Sequence, residues 1–209
     1  IYTSDHGDQL GERGLWWKQA FYEESIGIPL IMSHPTLLPQ GERREHVVNL
    51  IDLASTMTSV AEAAPLPFAQ SRSLWSVARD GSTPWLDETF AEYCTDGMSR
   101  WALPEPVRQR MVRSGPWKLT YYDGERPQLF NLDFDPGEQD DLAENSSYAD
   151  IRDQLVAKVL TAWSPSEIVD QMAHRRVEKE YLGAWARVTD PADSYRWDFK
   201  MEDNWLSPA

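Results

Sequence analysis

Two adjacent side chains near the start of the chain, Asp5 and His6, can bind one divalent ion between them. The segment ahead of them, Ile1-Tyr2-Thr3-Ser4, is apolar and β-prone, and Gly7 and Asp8 follow. A buried strand that ends in metal-capable side chains and a glycine is the usual layout of a hydrolytic site in an α/β protein. The carboxylate suits hard cations such as calcium, magnesium or manganese, and the imidazole tilts the choice towards manganese or zinc. Calcium is the first expectation, with manganese or magnesium as alternatives. Two ligands do not complete a site, so others must come from elsewhere. Lys18 stands thirteen positions after Asp5. Brought back to a metal-bound ester, its ammonium would stabilise negative charge on a transferring oxygen or protonate a leaving group. Taken singly, each residue also has a plain reading: Asp5 as a turn cap, His6 as a loop histidine, Lys18 as a solvated surface charge.

These residues need a scaffold, and the hydropathy pattern supplies one. Residues 1–4 read as the end of a strand, and residues 5–27 as a polar loop with a short helix around Lys18–Glu24. Ile28–Met32 reads as a short buried strand. Apolar residues at near-helical spacing from Val47 to Ala64 predict a helix stopped by Pro65 and Pro67. From Thr89 the pattern changes. Thr89–Tyr93, Gln109–Arg113, Trp117–Tyr122 and Gln128–Leu132 read as strands of a small antiparallel sheet, separated by turn signals at Ser114-Gly115 and Asp123-Gly124. Asp135–Glu138 is a further turn. A helix over Tyr148–Trp163, with Ile151, Leu155, Val159 and Leu160 on one stripe, is ended by Pro165. Residues 166–188 suit one more helix. The expected fold class is α/β: the end of a mostly parallel sheet plus a small antiparallel subdomain with a helix. The expected divisions are 1–70, 71–165 and a 166–209 extension that contacts a second subunit.

Composition narrows the function. The chain has 209 residues, 41% of them hydrophobic, which is enough to bury a core. With 20 Lys plus Arg against 34 Asp plus Glu, the formal net charge is -14. Such a surface repels phosphate backbones and anionic lipid, so nucleic acid and membrane surfaces are set aside as partners. No apolar run approaches the roughly 18 residues of a spanning helix. The single cysteine, Cys94, permits no disulfide within the chain and reads as a small buried residue. The ten tryptophans read as core and interface packing. His34, His46 and His174 have no ligand-like spacing with His6.

Taken together, Thr3-Ser4-Asp5-His6-Gly7-Asp8, Leu10-Gly11-Glu12-Arg13-Gly14-Leu15-Trp16 and Lys18 are far more specific than any one of them. With Glu23–Ile31, Val47–Leu53, Ser114–Leu119 and Gln128–Glu138 they resemble, in order, the sulfatase family of the alkaline phosphatase superfamily. The branch holding choline sulfatases and phosphonate monoester hydrolases is the most similar. The resemblance implies that Asp5 is a metal-binding aspartate, that His6 also faces the metal, and that Lys18 contacts the sulfate. It implies a formylglycine nucleophile, made from Cys or Ser in a Cys/Ser-x-Pro-x-Arg motif. Cys94-Thr95-Asp96-Gly97 does not fit that motif, and the family's early aspartate pair is absent.

The chain is therefore expected to be a C-terminal portion whose nucleophile lies upstream, and to fold poorly alone. Its substrate would be a small-molecule sulfate ester, its assembly a homo-oligomer, its compartment the cytoplasm by preference. Phosphonate or phosphate ester hydrolysis, or a non-catalytic remnant, stay open. The Asp135–Glu138 turn reads as remote from the chemistry. Arg196-Trp197-Asp198-Phe199-Lys200 resembles an element of choline sulfatases suited to a quaternary ammonium group, at about 0.5–2 kcal/mol per cation–π contact; subunit packing is its other reading.

Overall fold

The computed structural model describes residues 1–95 and 107–189. Four antiparallel strands dominate it: β3 (Glu88–Thr95), β4 (Val107–Ser114), β5 (Trp117–Tyr122) and β6 (Gln128–Asn131), in that spatial order. The β4–β5 connection is the two-residue turn Gly115-Pro116. Gly115 takes φ 55, the left-handed value a tight hairpin asks of its first central residue and one that glycine adopts without steric cost. Gly124, at φ 83, does the same between β5 and β6.

The pairing register explains the two faces of this sheet. Phe90, Val112, Leu119 and Leu129 lie opposite one another across the four strands. That row packs on helix α4 (Ala149–Leu160) through Leu155 and Val159, with Ala143 and Trp163 closing the cluster. Side chains alternate along a strand, so Arg113, Lys118 and Phe130 form a row on the opposite face. Phe130 meets the Tyr22 ring there at 6.2 Å, and Lys118 reaches Glu23. Strand β5 is buried on both sides because α4 covers one face and the site-bearing N-terminal segment covers the other.

That segment holds β1 (Tyr2–Thr3), α1 (Glu23–Ile26) and β2 (Leu30–Ile31), and β1 pairs with β2 antiparallel, Tyr2 opposite Ile31. The parallel pairing expected of residues 1–70 is not found among the described residues, because these two strands have only each other as partners. β2 is also not buried: Ile31 is 60% exposed. The helix expected around Lys18 forms later, at α1, because Trp17 adopts φ 68 and breaks any helical run there.

Helix α2 (Asp52–Val60) is shorter than its apolar spacing suggests. Asn49 and Asp52 cap its start reciprocally, Asn49 Oδ1 accepting from Ile51 N at 3.2 Å and Asp52 Oδ2 from Asn49 N at 3.1 Å. Asn49 Nδ2 then donates to Thr89 Oγ1 and the Phe90 carbonyl at 2.6 and 3.0 Å, holding residues 47–49 extended beside β3. Glu62 at φ 51 ends the run before either proline is reached. A short helix, α3 (Trp75–Arg79), follows. Pro165 does not stop α4, which ends at Leu160; it opens α5 (Pro165–Thr189), the first-turn position where a proline costs nothing. Leu160, assigned to the buried stripe, is 39% exposed.

The described residues fall into two units, one running from Ile1 to Ile168 and a second beginning at Val169. No helix among the described residues is long and apolar enough to cross a membrane.

Candidate active site

Asp5 and His6 leave the end of β1 in a turn held by its own side chains. Ser4 Oγ donates to the His6 carbonyl at 2.7 Å, and Asp5 Oδ1 accepts from His6 N at 3.1 Å. His6 Nδ1 lies 2.8 Å from the Gly7 carbonyl. A carbonyl only accepts, so in the neutral ring the proton sits on Nδ1 and Nε2 offers a lone pair. Lys18 Nζ stands 2.5 Å from that Nε2, and Asp5 Oδ2 is 3.4 Å from the same atom. A carboxylate oxygen, an imidazole nitrogen and an ammonium thus meet at one exposed point.

The intervening loop folds back on itself to bring Lys18 there. Asp8 Oδ1 accepts from Leu10 N at 3.0 Å and from Trp17 N at 3.2 Å. Gln9 N donates to the Trp17 carbonyl at 2.8 Å, and Gly11 N to the Leu15 carbonyl at 2.9 Å. The loop is anchored underneath by α1. Gly7 N donates to the Ser25 carbonyl at 2.8 Å, and Gln9 Nε2 to Ser25 Oγ at 2.7 Å. A Cβ on Gly7 would sit 2.0 Å from the Glu24 carbonyl oxygen, so only glycine permits this approach. Arg13 pairs with Glu24 at 2.8 Å and lies 4.1 Å over the Tyr22 ring. Burial raises the Glu24 carboxyl, but the Arg13 hydrogen bond, a backbone hydrogen bond and the charges of Arg13 and Lys118 together hold it below its ordinary value.

Asp5 Oδ2 and His6 Nε2 already face a positive charge, the Lys18 ammonium, so this donor pair fits a cation. Among the described residues no group of three or more His, Cys, Asp or Glu is placed to hold a metal ion. Cys94 lies in β3, half-buried against the sheet core rather than fully enclosed, and burial pushes its thiol up, away from the nucleophilic thiolate. His34 caps a turn, with Nδ1 accepting from Leu37 N at 3.2 Å. His174 lies 3.6 Å from Glu178 one helical turn on. Residues 196–200, with Trp101, Trp197 and Trp205, lie outside the described residues. Trp163 is core as expected, whereas Trp16 is 66% exposed.

Sequence reading names Gly7 beside the pair but gives no site role to Gln9, Glu23, Ser25, Lys118 or Glu138. The Asp135–Glu138 turn is not isolated from the site segment: Glu138 Oε2 accepts from Glu23 N at 2.7 Å.

The N-terminal segment, the four-stranded antiparallel sheet and the helix packed on it make a mixed helix-and-sheet fold. Solved structures agree on the fold. A protein in complex with its substrate D-glucosamine-2-N,6-O-disulfate superposes with a TM-score of 0.66 at 24% identity, over 76% of this chain and 32% of its own. The phosphonate monoester hydrolase of Agrobacterium radiobacter gives 0.65 at 22% identity, over 82% and 35%. The family model described as N-sulphoglucosamine sulphohydrolase, C-terminal, matches residues 11–164, and the chain belongs to that sulfatase family. The choline-sulfatase of Rhizobium meliloti (strain 1021) is 32% identical over 156 residues, covering 69% of this chain and 27% of the relative. Arylsulfatase K of Homo sapiens is 34% identical over 154 residues, covering 68% and 27%. The chain therefore spans about a quarter of the length of the curated relatives it matches.

Proposed function

We propose that the full-length protein carrying this chain hydrolyses a small-molecule sulfate ester, with Asp5 and His6 as metal ligands and Lys18 as the sulfate-binding cation. The observation that supports this reading best is the meeting of Asp5 Oδ2, His6 Nε2 and Lys18 Nζ at one point. A divalent ion bound there, calcium in the first instance, would supply Lewis-acid neutralisation of sulfate oxygens. Lys18 adds a second positive charge against the same oxygens, and electrostatic help of this kind is strongest as charge develops in the transition state. The Nδ1–H bond to the Gly7 carbonyl fixes the His6 ring with the Nε2 lone pair outward, and a metal ion bound there would take the place that the Lys18 ammonium holds in this structure. Asp8, by holding the Leu10 and Trp17 amides, keeps Lys18 within reach. In this reading the nucleophile comes from polypeptide outside the chain.

The test is sulfate release from an aryl sulfate by the purified full-length protein, before and after chelation of divalent ions. Turnover lost on chelation and regained with calcium, manganese or magnesium supports the proposal. Turnover indifferent to chelation removes Asp5 and His6 from the metal role.

A further inference from the structure

The turn at Asp135–Glu138 reaches the site through a buried chain of charges. Lys118 on β5 is 1% exposed and pairs with Glu138 Oε1 at 2.7 Å and Glu23 Oε1 at 2.8 Å. Arg113 stands 3.5 Å from the other Glu23 oxygen. Glu138 Oε2 accepts from Glu23 N, and the neighbouring Gly137 carbonyl accepts from Arg13. Two carboxylates and two cations are thus closed on the first residue of α1. A buried ion cluster is poor evidence of stabilisation, because desolvation offsets the Coulomb gain; its better-attested use is to fix geometry.

The backbone gives a second indication. Glu138 adopts φ 50, a conformation that suits glycine or asparagine and is uncommon for a glutamate. From this backbone position its carboxylate reaches both Lys118 and the Glu23 amide. What α1 holds is the site: Ser25 bonds Gly7 and Gln9, Glu24 carries the carbonyl that packs on Gly7, and Gly7 orients His6.

We propose that Glu138, through Lys118 and α1, is a positioning residue for His6 and Lys18. It touches neither substrate nor metal. It fixes the backbone of Gly7, so that His6 Nδ1–H keeps donating to the Gly7 carbonyl and Nε2 stays opposite Lys18. This rests on the function proposed above, but part of its test does not.

The experiment compares the full-length protein with its Glu138→Ala, Glu138→Gln and Leu155→Ala variants. Leu155 packs on the other face of the sheet and serves as the control for lost stability. Aryl sulfate kinetics are run below the melting temperature of every variant, and the His6 ring is read by long-range ¹H–¹⁵N correlation. The expected result for Glu138→Ala is a fall in kcat/KM of about 10–100-fold, carried by kcat, with loss of the pure Nδ1–H form of His6. Glu138→Gln keeps one oxygen for the Glu23 amide and recovers part of both; should the alanine variant not fold, the glutamine variant decides by the same partial loss. Leu155→Ala leaves both readouts as in the parent. Glu138 variants with parental kcat and an unchanged His6 ring would overturn the proposal, as would an equal loss of kcat in Leu155→Ala. If the parent releases no sulfate at all, the functional reading falls, and the His6 spectrum of the Glu138 variants alone decides the positioning role.

Discussion

At the scale of single residues, the site depends on one ammonium and one absent side chain. Lys18 faces His6 Nε2 directly. Its replacement by alanine should lower kcat/KM for an aryl sulfate by about 10²–10³-fold, the usual effect of removing one stabiliser of developing charge; steady-state kinetics on the full-length protein measure it. Gly7 has no room for a methyl group beside the Glu24 carbonyl. Gly7→Ala should cost about 1–3 kcal/mol, as over-packing does, in a urea titration, and should weaken metal binding in a calorimetric titration as His6 moves. The Asp5-His6 pair was legible in the sequence because adjacent residues at a strand end must emerge together. The approach of Lys18 was implied only by the family resemblance, because thirteen positions of loop fix no distance until Asp8 gathers the Leu10 and Trp17 amides.

At the scale of elements, the sheet is held by an apolar row on one face and a charged row on the other. Leu155→Ala removes a core side chain that is 1% exposed and should cost about 2–5 kcal/mol in chemical denaturation. Glu138 makes the charged face sensitive to pH. Burial raises its carboxyl above the ordinary value of 4.5, and Lys118 pulls against that shift without cancelling it. A carboxyl raised in the folded state contributes stability that is complete below its ordinary value and lost as pH climbs through the raised one. As pH rises from below the ordinary carboxyl value through the raised one, the urea midpoint of the parent should therefore fall relative to that of Glu138→Gln; parallel curves would contradict the shift. The four strands and both long helices were legible because alternation, helical spacing and turn glycines are local signals. The start of α2 was not, because the apolar side chains of Val47 and Leu50 imitate helical spacing while Asn49 ties the segment to β3. The link from Glu138 to Glu23 joins residues 115 positions apart, and no local pattern carries that.

At the scale of the whole molecule, the N-terminal segment and the antiparallel sheet act together within Ile1–Ile168. The sheet offers its Lys118 face to α1, α1 seats Gly7, and Gly7 orients the residues proposed to meet metal and sulfate. Residues 11–164 belong to the sulfatase C-terminal family, and the activity proposed for the full-length protein rests on that membership. The most direct measurement is parallel turnover of an aryl sulfate and an aryl phosphonate by the metal-loaded full-length protein and its Lys18→Ala variant. The account predicts that sulfate release dominates in the parent and collapses in the variant; dominant phosphonate turnover, or a variant as active as the parent, would contradict it.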